Sequence, residues 1–306
     1  MSAPFQTGII AEASSDALFI TLNADHERLT DIKSALTNYP AIVKQLQEDY
    51  PEAELHAAFG ISHLIWDKLD DQRPLHLAPF PSYQGPDANI VATDVDLVWH
   101  IRSQRKDITY MLAQQLFDAF AGSVTVVEEV SCFKYLDNRD LTGFVDGTEN
   151  PSGDAKKDVA LVGEEDLTFK HGSYFNLMRF VHDLGKWQQQ DLKSQEDTYG
   201  RTKQDNIEYP GDKKSLHAHT KRTSLKDAEG RSIEILRHSM PFASLAEKGL
   251  MFASYSKTPQ AFNLMLESMV LGDEDGHTDH LMKYTTATTG QAFFVPANSW
   301  FENLSH

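Results

Sequence analysis

The sequence predicts an α+β fold made of two similar halves, each an antiparallel sheet with helices packed on one face. Strand-like apolar runs occur at residues 17–22 and 96–101, and again at residues 173–181 and 250–255. Each run is followed by a segment of helical character, so the order strand, helix, strand, helix occurs twice. The chain has no Gly-rich phosphate turn, which argues against a dinucleotide-binding α/β fold and favours an antiparallel sheet.

Apolar residues at helical spacing support the helices. The first helix has apolar residues separated by three, four and three positions, which places them on one face. These residues are Leu29, Ile32, Leu36 and Tyr39. The last helix is expected to begin with Thr258 as its cap and Pro259 in its first position. Because any chain that mixes strands and helices alternates in this way, the pattern alone leaves the duplication open.

Length and charge limit the kinds of partner. The chain has 306 residues, enough for two domains, and turn-forming and charged residues cluster near the expected join at residues 140–170. Asp and Glu number 45 against 28 Lys and Arg, which gives a net charge of −17. Such a chain repels nucleic-acid phosphates and anionic lipid. We therefore expect no nucleic-acid or membrane partner, and favour small molecules or other proteins.

Cys132 is the single cysteine of the chain. One cysteine excludes an intramolecular disulfide, a cysteine zinc cluster and cofactor attachment through Cys-x-x-Cys-His. No apolar stretch approaches 18 residues, and the first residues lack the basic and apolar regions of a signal peptide. We therefore expect a cytoplasmic protein.

A segment rich in Gly and Asp, residues 139–151, is the first candidate site. Gly147 would let the backbone turn tightly beside a bound group. Asp146 would be held at that turn, within reach of a substrate. The alternative is an ordinary Asp-Gly turn whose side chain bonds its own backbone, and spacing alone favours that alternative.

Two histidines and an arginine further along offer ligands and charge. His217 and His219 would face the same side of a strand, where they could bind a metal together or lie at the surface. Arg237 follows a predicted strand at residues 233–236. A buried arginine there would need an anion, whereas an exposed one on an edge strand would not.

Three segments taken together resemble the dye-decolourising (DyP-type) haem peroxidases of bacteria. Residues 143–151 contain Gly-x-x-Asp-Gly, the signature of that family, and continue as many bacterial members do. His219 followed by Arg222 resembles the family's proximal His-x-x-Arg. Arg237 followed by Ser239 resembles its distal Arg-x-Ser/Asn. The ordered set covers most of the chain and is far more specific than any one motif.

The resemblance implies a fold and an assembly. The fold is two ferredoxin-like halves with antiparallel β-sheets and helices packed on them, in a dimeric α+β barrel-like superfold. The expected boundaries are residues 1–145 for the N-terminal half and 146–306 for the C-terminal half, which would carry the haem pocket. Members of the family are commonly homo-oligomers, so a dimer or larger assembly is expected.

The resemblance also implies haem b, bound without covalent links. His219 would be the axial iron ligand, with Asp279 as the carboxylate behind it, which favours a high-valent iron state. The other residues expected at the cofactor are Gly147, Thr148, Glu149 and Arg237.

The implied reaction reduces hydrogen peroxide and oxidises dyes, phenols or other small aromatic reductants through a high-valent ferryl intermediate. Asp146 would move the proton between the peroxide oxygens, and Arg237 would stabilise the departing oxygen. Ser239 would order a water beside them.

Three other functions stay open at this point. A haem carrier, or a protein that removes iron from haem, could use the same scaffold, although it would need neither Asp146 nor Arg237. A chlorite-dismutase-like enzyme usually lacks a distal aspartate. A non-haem metal protein would instead bind its ion through His217 and His219.

Overall fold

The computed structural model of the protein describes residues 3–304. The strands are β1 (Asp16–Ala24), β2 (His56–Ile61), β3 (Tyr83–Gln84), β4 (Asn89–Ile90), β5 (Leu97–Ser103), β6 (Val124–Phe133), β7 (Ser173–His182), β8 (Leu236–Arg237), β9 (Met240–Ala243), β10 (Lys248–Ser256) and β11 (Thr285–Val295). The α-helices are α1 (Leu29–Asp49), α2 (Trp66–Leu69), α3 (Lys106–Ala119), α4 (Ala155–Ala160), α5 (Leu184–Gln188), α6 (Leu192–Tyr199), α7 (His219–Thr223), α8 (Gln260–Val270) and α9 (Asn298–Asn303). Short 3₁₀ helices cover Pro51–Ala53 and His280–Lys283.

The large sheet is antiparallel, with strand order β6-β1-β5-β2-β11-β7-β10-β8, and β9 also pairs with β10. Within the first half, the chain order across the sheet is fourth, first, third, second, and the second half repeats it. This is the ferredoxin-like arrangement. The predicted α+β fold of two ferredoxin-like halves is therefore confirmed.

The two halves share a sheet and a core. They join where β2 pairs with β11 through Ile61 and Phe294. Strands β6 and β9, near opposite ends of the sheet, are in contact, so the sheet curves as in a barrel. The enclosed apolar cluster takes Phe19 and Val98 from one half and Phe175 from the other. The domain boundary between residues 145 and 146 stays a prediction.

Two long helices cover the sheet in the first half. Helix α1 buries Ile32, Leu36 and Tyr39, as their spacing predicts, and α3 does the same with Ile108 and Leu112. Aromatic side chains of the strands fill the space beneath these helices. The outcome is a closed core on this face of the first half.

The second half has no long helix in the corresponding place. Residues 183–235 contain the short helices α5, α6 and α7, joined by loops. Helix α8 buries Phe262 and Leu266 on its inner face, and α7 packs on α8. A cavity remains between the sheet and these two helices.

Two of the local predictions for the second half are wrong. Helix α8 begins at Gln260, and Pro259 rather than Thr258 takes the N-cap position. The strand predicted at 233–236 shrinks to β8, because the N–H of Ile233 bonds Leu225 O at 3.0 Å and so pairs with a loop.

The two histidines do not lie on a strand, which corrects a third prediction. His219 begins α7, whereas His217 precedes it in a turn closed by the N–H of Ala218 on Ser215 O. No helix within residues 3–304 has the length and apolar character needed to cross a membrane.

Candidate active site

A cavity of about 280 Å³ lies between the second half of the sheet and helices α7 and α8. Its walls are mostly apolar. They include Met178, Phe180, Leu250, Phe252, Phe262 and Met265. Asp146, His219 and Arg237 reach the same cavity from three distant segments of the chain. These three residues, singled out in the sequence, are therefore brought together in space.

His219 presents one ring nitrogen to a buried carboxylate. Its Nδ1 lies 2.7 Å from Oδ2 of Asp279, which is fully buried. Because a carboxylate accepts, Nδ1 carries the proton and Nε2 is the basic nitrogen of the neutral ring. This arrangement of a histidine with a carboxylate behind it is typical of a metal ligand.

Asp279 is itself held in place. Its Oδ1 accepts the N–H of Leu281 at 2.9 Å, and its own N–H donates to Met269 O. The nearby Asp273 has different partners: the backbone N–H of His277, together with Arg222, holds the pKa of Asp273 well below its ordinary value. Asp279 is thus the acidic residue of this loop that pairs with His219.

Asp146 lies in a tight turn, as its neighbours predict. Gly147 has φ of 77°, in the left-handed region that favours glycine. Oδ1 of Asp146 accepts the N–H of Gly147 at 2.7 Å, and its own N–H donates to Asn138 O. The carboxylate therefore bonds its own turn and also lines the cavity, and its role in a reaction stays a prediction.

Arg237 is fixed through its backbone. The side chain of Asn150 accepts the Arg237 N–H at 3.0 Å and donates to the Arg237 carbonyl at 2.8 Å. The loop that carries Asp146 is therefore tied to β8. Nε of Arg237 is buried and has no hydrogen-bond partner among the described residues. A buried donor without a partner suggests that a bound group supplies the acceptor.

Two predicted residues lie apart from the cavity wall. Ser239 does not line the cavity, and its hydroxyl accepts the N–H of Ala253 at 3.3 Å. His217 also lies outside it, with Nδ1 at 2.8 Å from Thr278 O and its ring stacked on His280. His217 and His219 therefore have different surroundings and do not share the cavity.

Gly147, Thr148 and Glu149 line the cavity beside Asp146. Glu149 pairs at 3.1 Å with Arg201, a buried cavity residue that was not predicted at the site. Nε of Arg201 is also buried and lacks a partner within residues 3–304. The cavity thus has two arginine donors available to an anionic group.

Asp140, inside the candidate segment 139–151, also lines the cavity, together with His182 and Tyr199, which the sequence did not reveal. His182 Nε2 lies 3.0 Å from Asp140 Oδ1. Burial raises the pKa of Asp140, but hydrogen bonds from His182 and Thr142 outweigh it, so the pKa lies below its ordinary value. No motif marks His182 and Tyr199, because their segments meet Asp140 only in the folded chain.

Comparison with known proteins supports a family assignment. The Dyp-type peroxidase N-terminal family model matches residues 6–134, and the C-terminal model matches residues 137–299. A dye-decolorizing peroxidase of Mycolicibacterium paratuberculosis is 37% identical over 298 residues, which cover 96% of this chain and 84% of the relative.

Solved structures with a similar fold support the same family. A crystal structure described as a Dyp-type peroxidase protein from Shewanella oneidensis has a TM-score of 0.95 and 43% identity, covering 99% of both chains. A variant of Rhodococcus jostii RHA1 DypB in complex with haem has a TM-score of 0.93 and 34% identity, covering 97% of both chains. The chain therefore belongs to the Dyp-type peroxidase family.

Proposed function

We propose that this protein is a haem b peroxidase that reduces hydrogen peroxide and oxidises dyes, phenols or other small aromatic reductants. The observation that carries the proposal is a single cavity lined by a carboxylate-backed histidine, Asp146 and Arg237. The names of the relatives, which include a complex with haem, support the same activity.

The cavity residues fit a haem. His219 keeps Nε2 free for iron because Asp279 occupies Nδ1. The apolar walls suit the faces of a macrocycle, and the unpartnered Nε atoms of Arg201 and Arg237 suit its carboxylates. Gly147, Thr148 and Glu149 would contact its edge.

Bound haem supplies the iron that accepts two oxidising equivalents from hydrogen peroxide. His219 would hold that iron, and Asp279 would keep the imidazole oriented and give it anionic character. A buried carboxylate at 2.7 Å makes the ring a stronger donor than a free histidine.

Asp146 and Arg237 act on the peroxide. As a carboxylate, Asp146 takes the proton of the inner oxygen and delivers it to the outer one, which helps by about 10²–10⁴-fold. Arg237 stabilises the negative charge on the departing oxygen. Ser239 as the residue that orders a water stays a prediction.

The other functions fit the cavity less well. A haem carrier or an iron-removing protein has no use for Asp146 beside Arg237. A chlorite-dismutase-like enzyme usually lacks the aspartate. A non-haem metal held by His217 and His219 conflicts with the separate surroundings of the two rings.

Absorption spectra of protein loaded with haem, before and milliseconds after peroxide, test the proposal. The parent should show a Soret band that shifts rapidly with peroxide. His219→Ala should lose the parental band. His217→Ala is the matched control, two residues away and outside the cavity, and should keep it. A band that peroxide only bleaches would indicate haem handling instead.

For assembly and location we propose a homo-oligomer, dimeric or larger, in the cytoplasm. The family resemblance supports the assembly, and the location is the one expected from the sequence. A monomeric mass in light scattering of the haem-loaded protein would contradict the first part. Recovery of the native protein outside the cytoplasmic fraction would contradict the second.

A further inference from the structure

Three aromatic side chains lead from the cavity to the protein surface. The ring of Tyr199 meets that of His219 edge to face, with centroids 6.0 Å apart. Trp187 lies 5.8 Å from Tyr199, and Tyr284 lies 5.1 Å from Trp187. Trp187 is buried, whereas Tyr284 is partly exposed, with Nζ of the exposed Lys186 over its ring.

The inner tyrosine also has a directed path for its proton. Thr142 Oγ1 lies 2.5 Å from Asp140 Oδ2 and 2.8 Å from the Tyr199 hydroxyl. An ionised carboxylate only accepts, so the single hydroxyl proton of Thr142 points to Asp140. Tyr199 must therefore donate to Thr142, and the chain of donors runs from Tyr199 through Thr142 to Asp140.

Oxidation of Tyr199 requires this path. The phenol donates its hydrogen bond to Thr142 and therefore carries its proton at rest. An oxidised phenol is a strong acid, so the proton must leave with the electron. Asp140 is ionised through its bonds with His182 and Thr142, and is available to accept it.

We propose that Tyr199, Trp187 and Tyr284 carry electrons to the haem from a bulky aromatic donor that stays outside the cavity, while Asp140 takes up the Tyr199 proton through Thr142. This inference rests on the proposed peroxidase function. It assigns the surface at Tyr284 as the place where such donors are oxidised.

The steps balance. Tyr199 gives one electron to the haem that peroxide has oxidised, and its proton moves to Thr142 Oγ1 as the Thr142 proton moves to Asp140. Trp187 then gives one electron to Tyr199, and both protons return. Trp187 keeps its Nε1 proton, which Thr142 O accepts at 2.9 Å, throughout.

The outer steps complete the transfer. Tyr284 gives one electron to Trp187 and releases its proton to solvent. The aromatic donor gives one electron to Tyr284, which takes a proton back. Over the whole cycle, only the donor is oxidised.

Mapping of the protein radical tests the route without relying on turnover. Haem-loaded protein is mixed with peroxide and a nitroso spin trap, without any donor, and its peptides are analysed by mass spectrometry. We expect the adduct at Tyr284, and its loss in Tyr284→Phe. Trp187→Phe and Tyr199→Phe should lower the adduct at Tyr284 at least about tenfold. Tyr110→Phe, at a tyrosine 60% exposed in the first half, should not change it.

The proton path has its own matched pair of variants. Thr142→Val removes the hydroxyl and should slow adduct formation at Tyr284, whereas Thr142→Ser keeps the hydroxyl and should restore it. Oxidation of a bulky anthraquinone dye should fall in parallel in Tyr284→Phe, by about tenfold or more in kcat/KM.

The outcomes distinguish a failure of the electron-transfer route from a failure of the proposed peroxidase function. A parent without a Soret band, or without a rapid peroxide shift, would overturn the proposed function. A normal shift with the adduct at Tyr110, or with an undiminished adduct at Tyr284 in Trp187→Phe and Tyr199→Phe, would overturn the route alone. Retention of the haem Soret band by these variants shows that they fold.

Discussion

The two halves of the protein share a strand order but differ in what covers the sheet. In the first half, α1 runs for 21 residues and closes the face together with α3. In the second half, the corresponding connection is divided among α5, α6 and α7, of which the longest has 8 residues. The closed face holds packed aromatic rings, and the open face holds the cavity.

The difference shows how a duplicated fold acquires a site. A long amphipathic helix buries its apolar face on a sheet and leaves no space. Short helices with loops between them leave apolar sheet residues uncovered and bring polar side chains to the gap. His219 at the start of α7 is one such side chain. The site therefore lies in the half that covers its sheet least completely.

The largest expected effect lies in the open half. Asp146→Asn keeps the size of the side chain but removes the base, so the rate of the peroxide-induced spectral shift should fall by about 10²–10⁴-fold. Stopped-flow absorption measures this rate. Asp154→Asn, at an exposed carboxylate of the same half, is the control and should react like the parent. A parental rate in Asp146→Asn would refute the proton-transfer role.

In the first half, whose sheet is closed by α1 and α3, a substitution in the core should instead lower the stability of the fold. Phe59 is fully buried against Tyr39, Trp99, Phe120 and Phe301. Phe59→Ala should lower the free energy of unfolding by about 3–5 kcal/mol, because it opens a void in a filled core.

Phe252→Ala is the matched change in the open half, since Phe252 already borders the cavity. In haem-free protein it should cost clearly less than Phe59→Ala, as urea unfolding would measure. Equal losses would mean that the two faces are packed alike.

A smaller effect is expected at Asp279, behind His219, the proposed iron ligand. Asp279→Asn is nearly isosteric, but it removes the charge that orients His219. Haem affinity should fall by about 10–100-fold, as titration of the Soret band would measure. Asp275→Asn, at an exposed residue of the same loop, serves as the control. Unchanged affinity in Asp279→Asn would assign the carboxylate a structural role only.

The smallest effect is a dependence of stability on pH. The pKa of the Asp140 carboxyl lies below its ordinary value of 3.8 in the folded protein, so its ionised form stabilises the fold. That contribution is fully present above 3.8 and is lost as pH falls through the folded pKa. The difference in unfolding free energy between the parent and Asp140→Asn should therefore shrink at acid pH.

The closed half offers a comparison for this effect. Hydrogen bonding to Arg105 also lowers the pKa of Asp107, but this pair is exposed. High salt should reduce the change in unfolding free energy caused by Asp107→Asn. It should leave the change caused by Asp140→Asn the same. If high salt reduced the effect of Asp140→Asn on stability as much as that of Asp107→Asn, the result would contradict the burial of Asp140.

The sequence predicted regular elements better than the irregular segments around the site. Apolar spacing found the helix at Leu29 and the strand at residues 17–22, because burial on one face imposes a period. It failed at residues 233–236, where the N–H of Ile233 pairs with a loop. The period of apolar residues carries no information about such pairing.

The candidate site was predictable where a motif supplied it. Asp146, His219 and Arg237 belong to the family motifs and meet in one cavity. Tyr199 and His182 carry no motif, and their partners are far away in the sequence. The prediction that His217 and His219 lie on one strand is wrong for a local reason. A turn precedes α7 and gives the two residues different surroundings.

The side chain of Asn150 takes the place of a neighbouring strand beside β8. In an antiparallel sheet, a residue whose N–H and C=O point away from one strand bonds a C=O and an N–H of the strand on its other side. The carboxamide of Asn150 supplies both groups to Arg237: its oxygen accepts the Arg237 N–H, and its NH₂ donates to the Arg237 carbonyl. The edge of the sheet is thereby capped at β8, and the loop that carries Asp146 is fixed to the sheet through two hydrogen bonds.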